Sequence, residues 1–439
     1  MSEKVTKLAL ASRIIVLVVQ LISDALIPDH NADVFKSPTK LNQQTSFLDR
    51  TLDFIFSGLR RWDAEYFLHI AEHGYSYENS LAFYPLYPTI TGILAKSIYF
   101  VGIGVSLRTL VLVVGIALNI YFFCRAANCL YELTQKIFGD LNKSWNAAVI
   151  FCFNPASVFF TAPYSEAFFC WLSFSLMLEC VGQVSLFTTC LASALGIVCR
   201  SNGMLNLGFP VYFILRKIFL KQTKWLALKL VVLVFVSVIP LTFFCFYAFH
   251  QFCSNNSTIE HPPEVIQYAV EREYVLAGDR IPPNSPWCDQ SFPFPYTYIQ
   301  NHYWNVGFMN YYEWKQLPNF IIASPIIGFI LYQTFFYFRS ICNFIRVSTL
   351  QQAISEWKSI PFIVHCLFLT IFCTFFTHVQ ITTRVICSSS PVLYWFAVNH
   401  LPKTFDRIEW KSANSVVLLW FSGYFLIGTT LFSNFLPWT

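Results

Sequence analysis

Long apolar runs separated by short basic or polar stretches dominate this chain. Runs close to the ~20 residues that cross a hydrocarbon core lie at about 8–27, 107–124, 145–163, 165–182, 184–199, 203–220, 226–250, 319–338, 360–380, 384–400 and 416–435. Together they predict an all-α, polytopic membrane protein with about eleven transmembrane helices. One further apolar run, 83–103, contains Pro85, Pro88 and Lys96, and its expected place is flat at the membrane interface. The first run carries Lys4, Lys7 and Arg13 and lacks a small-residue cleavage site, so it reads as a signal anchor.

Charge sets the orientation. The linker 216–229 holds Arg216, Lys217, Lys221, Lys224 and Lys229 without an acid, which places it in the cytosol. The next long segment then faces the lumen, and it carries overlapping glycosylation sequons at Asn255 and Asn256, which are used only there. Three more basic groups fall on the cytosolic side: Arg125/Lys136/Lys143, Arg339/Arg346/Lys358 and Lys403/Arg407/Lys411. Asn142 shares that side and is expected to stay unmodified. The result is one transmembrane domain, 1–439, with two large lumenal loops, 28–106 and 251–318. These loops hold 15 of the 24 acids, so polar chemistry gathers on one membrane face.

Composition narrows the class. Only 12% of residues are charged and 55% are hydrophobic, against ~25% charged in soluble domains. A soluble globule could not cover its surface this way, and a disordered chain is far more polar. The net charge of +5 follows from positive-inside sorting and calls for no nucleic acid partner. The 14 cysteines form no C-x-x-C pair, and most sit in apolar runs as small hydrophobes. Cys253 and Cys288 share a polar loop and could pair if it faces an oxidising lumen.

The densest polar stretch is Arg60-Arg61-Trp62-Asp63-Ala64-Glu65-Tyr66-Phe67-Leu68-His69-Ile70-Ala71-Glu72-His73-Gly74-Tyr75. At helical period, Phe67, Ile70 and Ala71 form an apolar stripe suited to the bilayer surface. Asp63 then stands at a helix N-terminus, with two readings open: an N-cap, or a carboxylate base for a sugar hydroxyl. His69-Ile70-Ala71-Glu72-His73 also matches H-x-x-E-H, the inverted zinc-protease pattern, although no third ligand follows at an obvious spacing. Ionisable residues at lumenal span ends add Glu166, Arg200 with Asn202, and Arg384 after His378. An arginine there either snorkels to headgroups or grips a lipid-linked phosphate. The second loop ends in Gln300-Asn301-His302-Tyr303-Trp304, an amide and aromatic mixture that suits a sugar.

The stretch Trp62–Tyr75, followed by Ala82-Phe83-Tyr84-Pro85-Leu86-Tyr87-Pro88, resembles the GPI mannosyltransferase II family (PIG-V). Shorter matches follow in order: Asn154-Pro155-Ala156-Ser157, Pro163-Tyr164-Ser165-Glu166, Arg200-Ser201-Asn202-Gly203, Tyr303–Phe308, Gln316–Phe320 and Ser390–Trp395. The resemblance implies a GT-C fold in the endoplasmic reticulum membrane. It also implies transfer of the second mannose, in α1,6 linkage, from dolichyl-phosphate mannose to a monomannosylated GPI precursor glycolipid. An α product from a β-linked donor means inversion, with Asp63 as the expected base and Glu65 as second choice. Trp62, Glu166, Arg200, Asn202, Gln300, Trp304, His378 and Arg384 are the expected substrate and donor contacts. No cofactor or metal is demanded, because dolichyl phosphate is a competent leaving group. Partners are the two lipid-linked substrates, membrane lipids and, where one is needed, a small membrane accessory subunit. The rivals are a zinc protease built on His69, Glu72 and His73, and a lipid flippase or transporter, which would show midplane charges and inverted repeats.

Overall fold

A computed structural model describes residues 1–39, 46–182, 185–221, 225–254, 259–278, 285–345, 358–401 and 413–438. The expected glycosylation residues Asn255 and Asn256 lie outside the described residues, as do Arg346, Lys403, Arg407 and Lys411, which were expected on the cytosolic side.

The described chain is helical, and its only β pairing is a single antiparallel bridge between Tyr77 and Leu276. The helices, numbered in chain order, begin with α1 (Ser2–Leu26), α2 (Phe47–Phe56), α3 (Ala64–His73), α4 (Leu86–Phe100) and α5 (Leu107–Phe138). Next come α6 (Leu141–Cys152), α7 (Glu166–Val181), α8 (Leu186–Cys199), α9 (Gly208–Lys221) and α10 (Trp225–Phe252). The second polar segment carries α11 (Pro263–Arg272) and α12 (Pro295–Trp304), and α13 (Leu317–Ile345) follows it. The last are α14 (Ile360–Phe376), α15 (Thr382–Ser389), α16 (Val392–Val398) and α17 (Ala413–Ser433). Five helices are long and apolar enough to cross a membrane: Ser2–Leu26, Leu107–Phe138, Ala227–Phe252, Trp314–Asn343 and Val416–Ser433. Shorter apolar helices stand beside them. The polytopic class expected from the sequence is present, while helix length alone does not reproduce the count of eleven.

Several expected spans differ in form for local reasons. The run 145–163 is not one helix: α6 stops at Cys152, and an irregular stretch with a 3₁₀ turn at Ser157–Phe160 leads to α7. Pro155 and Pro163 remove two backbone donors there. The run 384–400 splits into α15 and α16 at Pro391 for the same reason, and 203–220 opens with a 3₁₀ turn, Ser201–Leu207, before α9. Gly203 packs so closely on the Gly196 carbonyl that a Cβ would collide with it. Pro85 and Pro88 occupy the start of α4, where no intrahelical N–H is needed. That helix buries Tyr87, Thr91, Gly92 and Ala95 and exposes Ile93, Tyr99 and Phe100. Gly92 lets it sit against the Ala71 carbonyl of α3.

Irregular backbone inside a membrane bundle must find protein partners for its polar groups. Arg13 supplies them. The sequence sets it with Lys4 and Lys7 in the first apolar run; within α1 it lies well inside the helix and is fully buried. Its Nη1 donates to the Ser157 carbonyl (2.7 Å) and Thr161 Oγ1 (3.1 Å), and its Nη2 to the Cys152 carbonyl (3.1 Å). The guanidinium lies 3.8 Å over the Phe123 ring. Asn119 Nδ2 on α5 donates to the carbonyls of Ala162 and Tyr164. These two side chains fix the path of 153–165.

The two polar segments pack together at one end of the bundle. Glu78 N donates to the Val275 carbonyl and Ala277 N to the Ser76 carbonyl, each at 2.9 Å. Arg272 pairs with Asp33 at 2.6 Å, and Cys253 is joined to Cys288 by a disulfide.

Candidate active site

Asp63 immediately precedes α3, but it does not cap that helix. An N-cap residue holds an extended backbone so that its side chain can reach the N2 or N3 amide. Asp63 instead has helical angles (φ −61, ψ −18) and makes no side-chain cap bond. The turn into the helix is made one residue earlier, where Trp62 adopts φ +55, a left-handed conformation costing roughly 1–3 kcal/mol for a non-glycine residue. Arg61 holds that turn from behind. It is buried, pairs with Asp24 at 2.6 Å and Asp29 at 3.0 Å, and donates Nε to the Ser433 carbonyl at 2.9 Å. The Tyr164 hydroxyl donates to the Arg61 carbonyl at 3.2 Å. The indole Nε1 of Trp62 is buried with no hydrogen-bond partner among the described residues.

The Asp63 carboxylate freed in this way meets a cation from the far end of the sequence. Arg384 Nη1 on α15 donates to Asp63 Oδ2 at 2.9 Å. Arg384 Nε lies 2.9 Å from Glu166 Oε1, and Arg200 Nη1 lies 2.6 Å from the same oxygen. Four residues therefore form one chain, Asp63–Arg384–Glu166–Arg200, whose charges cancel. Each placement has a local cause. Glu166 is the first residue of α7, where the helix dipole favours an acid. Arg200 ends α8 in extended conformation, and Arg384 sits in the first turn of α15. Phe159 and Tyr164, both on the irregular stretch, lie 5.2 and 5.4 Å from the Arg384 guanidinium. Glu166 is fully buried, whereas the Asp63 side chain is 34% exposed and Arg200 14%. Arg384, at 15%, is as exposed as Arg200, so Asp63 is the most accessible member of the chain and Glu166 the closed one.

The other expected residues lie around this chain. Asn202 Nδ2 donates to Ser389 Oγ at 2.8 Å, tying the corner after α8 to the end of α15. The His378 ring stacks on Tyr311 at 4.5 Å, and its Nε2 is 2.7 Å from the Trp304 carbonyl. The Asp63 carboxylate is within electrostatic reach of His378. The Trp304 ring meets Tyr66 and Phe83 edge-on at 6.1 and 6.0 Å. Gln300 is half-buried on α12, and among the described residues no bond joins its side chain to the ion chain.

Glu65 has a different environment. It is 5% exposed, with Oε1 2.8 Å from Arg60 Nε and Oε2 accepting from Ser37 N at 3.0 Å. The Ser37 hydroxyl lies 3.0 Å from His69 Nδ1, and the His69 ring stacks on Tyr77. Glu72 and His73 are 3.7 Å apart, but among the described residues no three His, Cys, Asp or Glu side chains are placed to share a metal ion. Ser389 had no signal in the sequence; Trp62 was expected as a substrate contact but not as a left-handed turn, and Glu78 counted only as one lumenal acid.

A family model described as "Mannosyltransferase (PIG-V)" matches residues 2–439. The chain is 45% identical over its full length to the whole of "GPI mannosyltransferase 2" of Drosophila melanogaster. It is 33% identical, again over its full length and 98% of the relative, to "GPI alpha-1,6-mannosyltransferase 2" of Homo sapiens. Among solved structures, the apo oligosaccharyltransferase of Archaeoglobus fulgidus matches 97% of this chain at 11% identity with a TM-score of 0.45, and the chain spans 56% of that enzyme's length.

Proposed function

Because the chain belongs to the Mannosyltransferase (PIG-V) family, and so is a glycosyltransferase of GPI-anchor assembly, we propose that it adds the second mannose in α1,6 linkage to a monomannosylated GPI precursor. The proposed donor is dolichyl-phosphate mannose, the architecture GT-C, and the site lumenal in the endoplasmic reticulum. Full-length similarity to a relative named for the α1,6 linkage supports the regiochemistry. The Cys253–Cys288 disulfide supports an oxidising compartment for the site face.

In the proposed reaction an acceptor hydroxyl oxygen attacks the anomeric carbon of the donor mannose. The bond from that carbon to the phosphate oxygen breaks, and its electron pair leaves with dolichyl phosphate. Asp63 takes the hydroxyl proton, and attack from the face opposite the leaving group inverts the β donor to an α product. One observation carries this assignment: Asp63 is exempt from capping, is held through one oxygen by Arg384, and remains 34% exposed. Among the described residues Arg200 engages its neighbours through Nη1, so Nε and Nη2 would be offered to the donor phosphate, with Arg384 as the second expected phosphate contact. Trp62, Asn202, Gln300, Trp304 and His378 would surround the sugars. No metal takes part in this route.

The test is direct. Membranes bearing the protein, supplied with dolichyl-phosphate mannose and a monomannosylated GPI precursor, should yield a dimannosylated product sensitive to an α1,6-specific mannosidase. No product from correctly inserted protein overturns the reading. Glycan mapping tests the orientation: modification at Asn255 or Asn256 supports a lumenal site, and a glycan on Asn142 refutes it.

A further inference from the structure

Glu78 is 1% exposed, yet among the described residues it has no cationic partner within ion-pair distance. A buried carboxylate without a counter-ion is costly unless hydrogen bonds replace its water. Here three neutral donors do so, and all come from the second polar segment. The Ser285 hydroxyl and Trp287 Nε1 (2.8 Å) donate to Oε1, and the Tyr303 hydroxyl donates to Oε2 at 2.8 Å. Both carboxylate oxygens are thus occupied by residues more than 200 positions away.

The donors connect to both ends of that segment. Trp287 is fully buried and adjoins Cys288, which the disulfide ties to Cys253 just beyond α10. Tyr303 is next to the last residue of α12, Trp304, whose carbonyl holds His378 at 2.7 Å. His378 is the ring within electrostatic reach of Asp63. Just beyond, Asn305 reverses the chain with φ +51, and Val306 N closes the turn onto the Gln300 carbonyl at 3.0 Å. Anchoring Tyr303 therefore fixes the end of α12 and, through the Trp304 carbonyl, the place of His378.

We propose that Glu78 is a positioning residue: it seats the end of α12 against the active site and, through the Trp304 carbonyl, sets the place of His378. This inference rests on the mannosyl-transfer reading for its kinetic readout. A misplacement of about 1 Å near reacting atoms can cost ~10²-fold, so Glu78→Ala is expected to lower kcat/KM by about 10- to 100-fold in protein that inserts normally. Glu78→Gln keeps a carbonyl acceptor and should stay within about tenfold of the parent. Tyr303→Phe removes one donor while keeping the ring, and its effect should share the direction of Glu78→Ala at smaller size.

The deciding experiment compares purified full-length Glu78→Ala, His378→Ala and the double variant. If Glu78 acts through His378, the double variant is no worse than the stronger single. Multiplied losses refute the route, and parental kcat and KM in folded Glu78→Ala refute the proposal outright. Loss of protein amount with unchanged kcat and KM in the surviving fraction assigns Glu78 to folding only, and so also overturns it. Limited proteolysis of 259–316 reads the seating without catalysis: faster cleavage in Glu78→Ala supports it, and unchanged cleavage opposes it. If the parent itself transfers no mannose, the functional reading fails while proteolysis still judges the latch.

Discussion

Asp49 and Asp63 lie fourteen residues apart in the same segment, each at the start of a helix, and they do opposite things. Asp49 is 3% exposed and wholly engaged. Its Oδ2 accepts from the Ser46 amide and hydroxyl, closing a capping box on α2, and its Oδ1 accepts from the Ser106 amide at 2.8 Å, tying α2 to α5. Asp63 gives its helix no cap bond and directs its carboxylate to Arg384. The residue type is the same, so the difference comes from the backbone and the partner. A left-handed Trp62 starts the helix at Asp63, and a cation brought by α15 supplies the alternative to an amide. A charged group spent on amides is structural; one held by a single cation with an oxygen left over is available for chemistry.

The sharpest way to break this contrast is Asp63→Asn. Asparagine caps about as well as aspartate, so a capping role predicts little change, whereas loss of a general base predicts a ~10²–10⁴-fold fall in turnover. We expect the large fall in protein that accumulates normally, read as missing dimannosylated product. Near-parental turnover would make Asp63 a second Asp49. Arg384→Lys comes next. Lysine keeps the charge but lacks the fork that reaches Asp63 and Glu166 from separate nitrogens. One charge-assisted bond is worth about 1.5–3 kcal/mol, so turnover should drop about 10- to 100-fold, and an unchanged rate would refute the ion chain as a working unit.

Asp49→Ala should do the reverse. Loss of the capping box costs about 0.5–2 kcal/mol, visible as a lower melting temperature with kcat and KM unchanged; a collapse of kcat in folded protein would erase the distinction. A pH scan sharpens it. Burial alone would raise the Asp49 carboxyl, but the Ser106 and Ser46 amides and hydroxyl overcome this and hold it at about 2. Because the folded value lies below the unfolded ~3.9, the stabilisation is complete above about pH 4 and disappears as pH falls towards 2. Asp49→Asn should flatten the stability profile across that window. The smallest effect is expected for Glu65→Gln, whose carboxylate faces Arg60 and Ser37; turnover should change by less than about tenfold. A loss as large as that of Asp63→Asn would move the base to Glu65.

Much of this protein was legible before any fold was known. Hydropathy and the sparse charges specify a polytopic helical membrane protein, because backbone in lipid must satisfy its own hydrogen bonds. The Trp62–Tyr75 block marked the segment that carries Asp63 and Glu65. The pairing of Cys253 with Cys288 was readable as a conditional expectation, since both cysteines fall in one polar loop. These features are local in sequence, and local periodicity and composition report them.

Only the tertiary structure decided the rest. Arg13 read only as one of three basic residues in the first apolar run and proved to be the buried support of 153–165, because its acceptors lie more than 130 residues away. Glu78 carried no signal, because its donors are scattered through another segment. The sequence also left Asp63 poised between cap and base. The structure removes the cap through one dihedral angle at Trp62 and sets the carboxylate against Arg384, 321 residues downstream. Hydropathy and helical period are sums over neighbours, so they fix which segments enter the membrane. Which charges meet there depends on how the helices pack, and no local sum contains that.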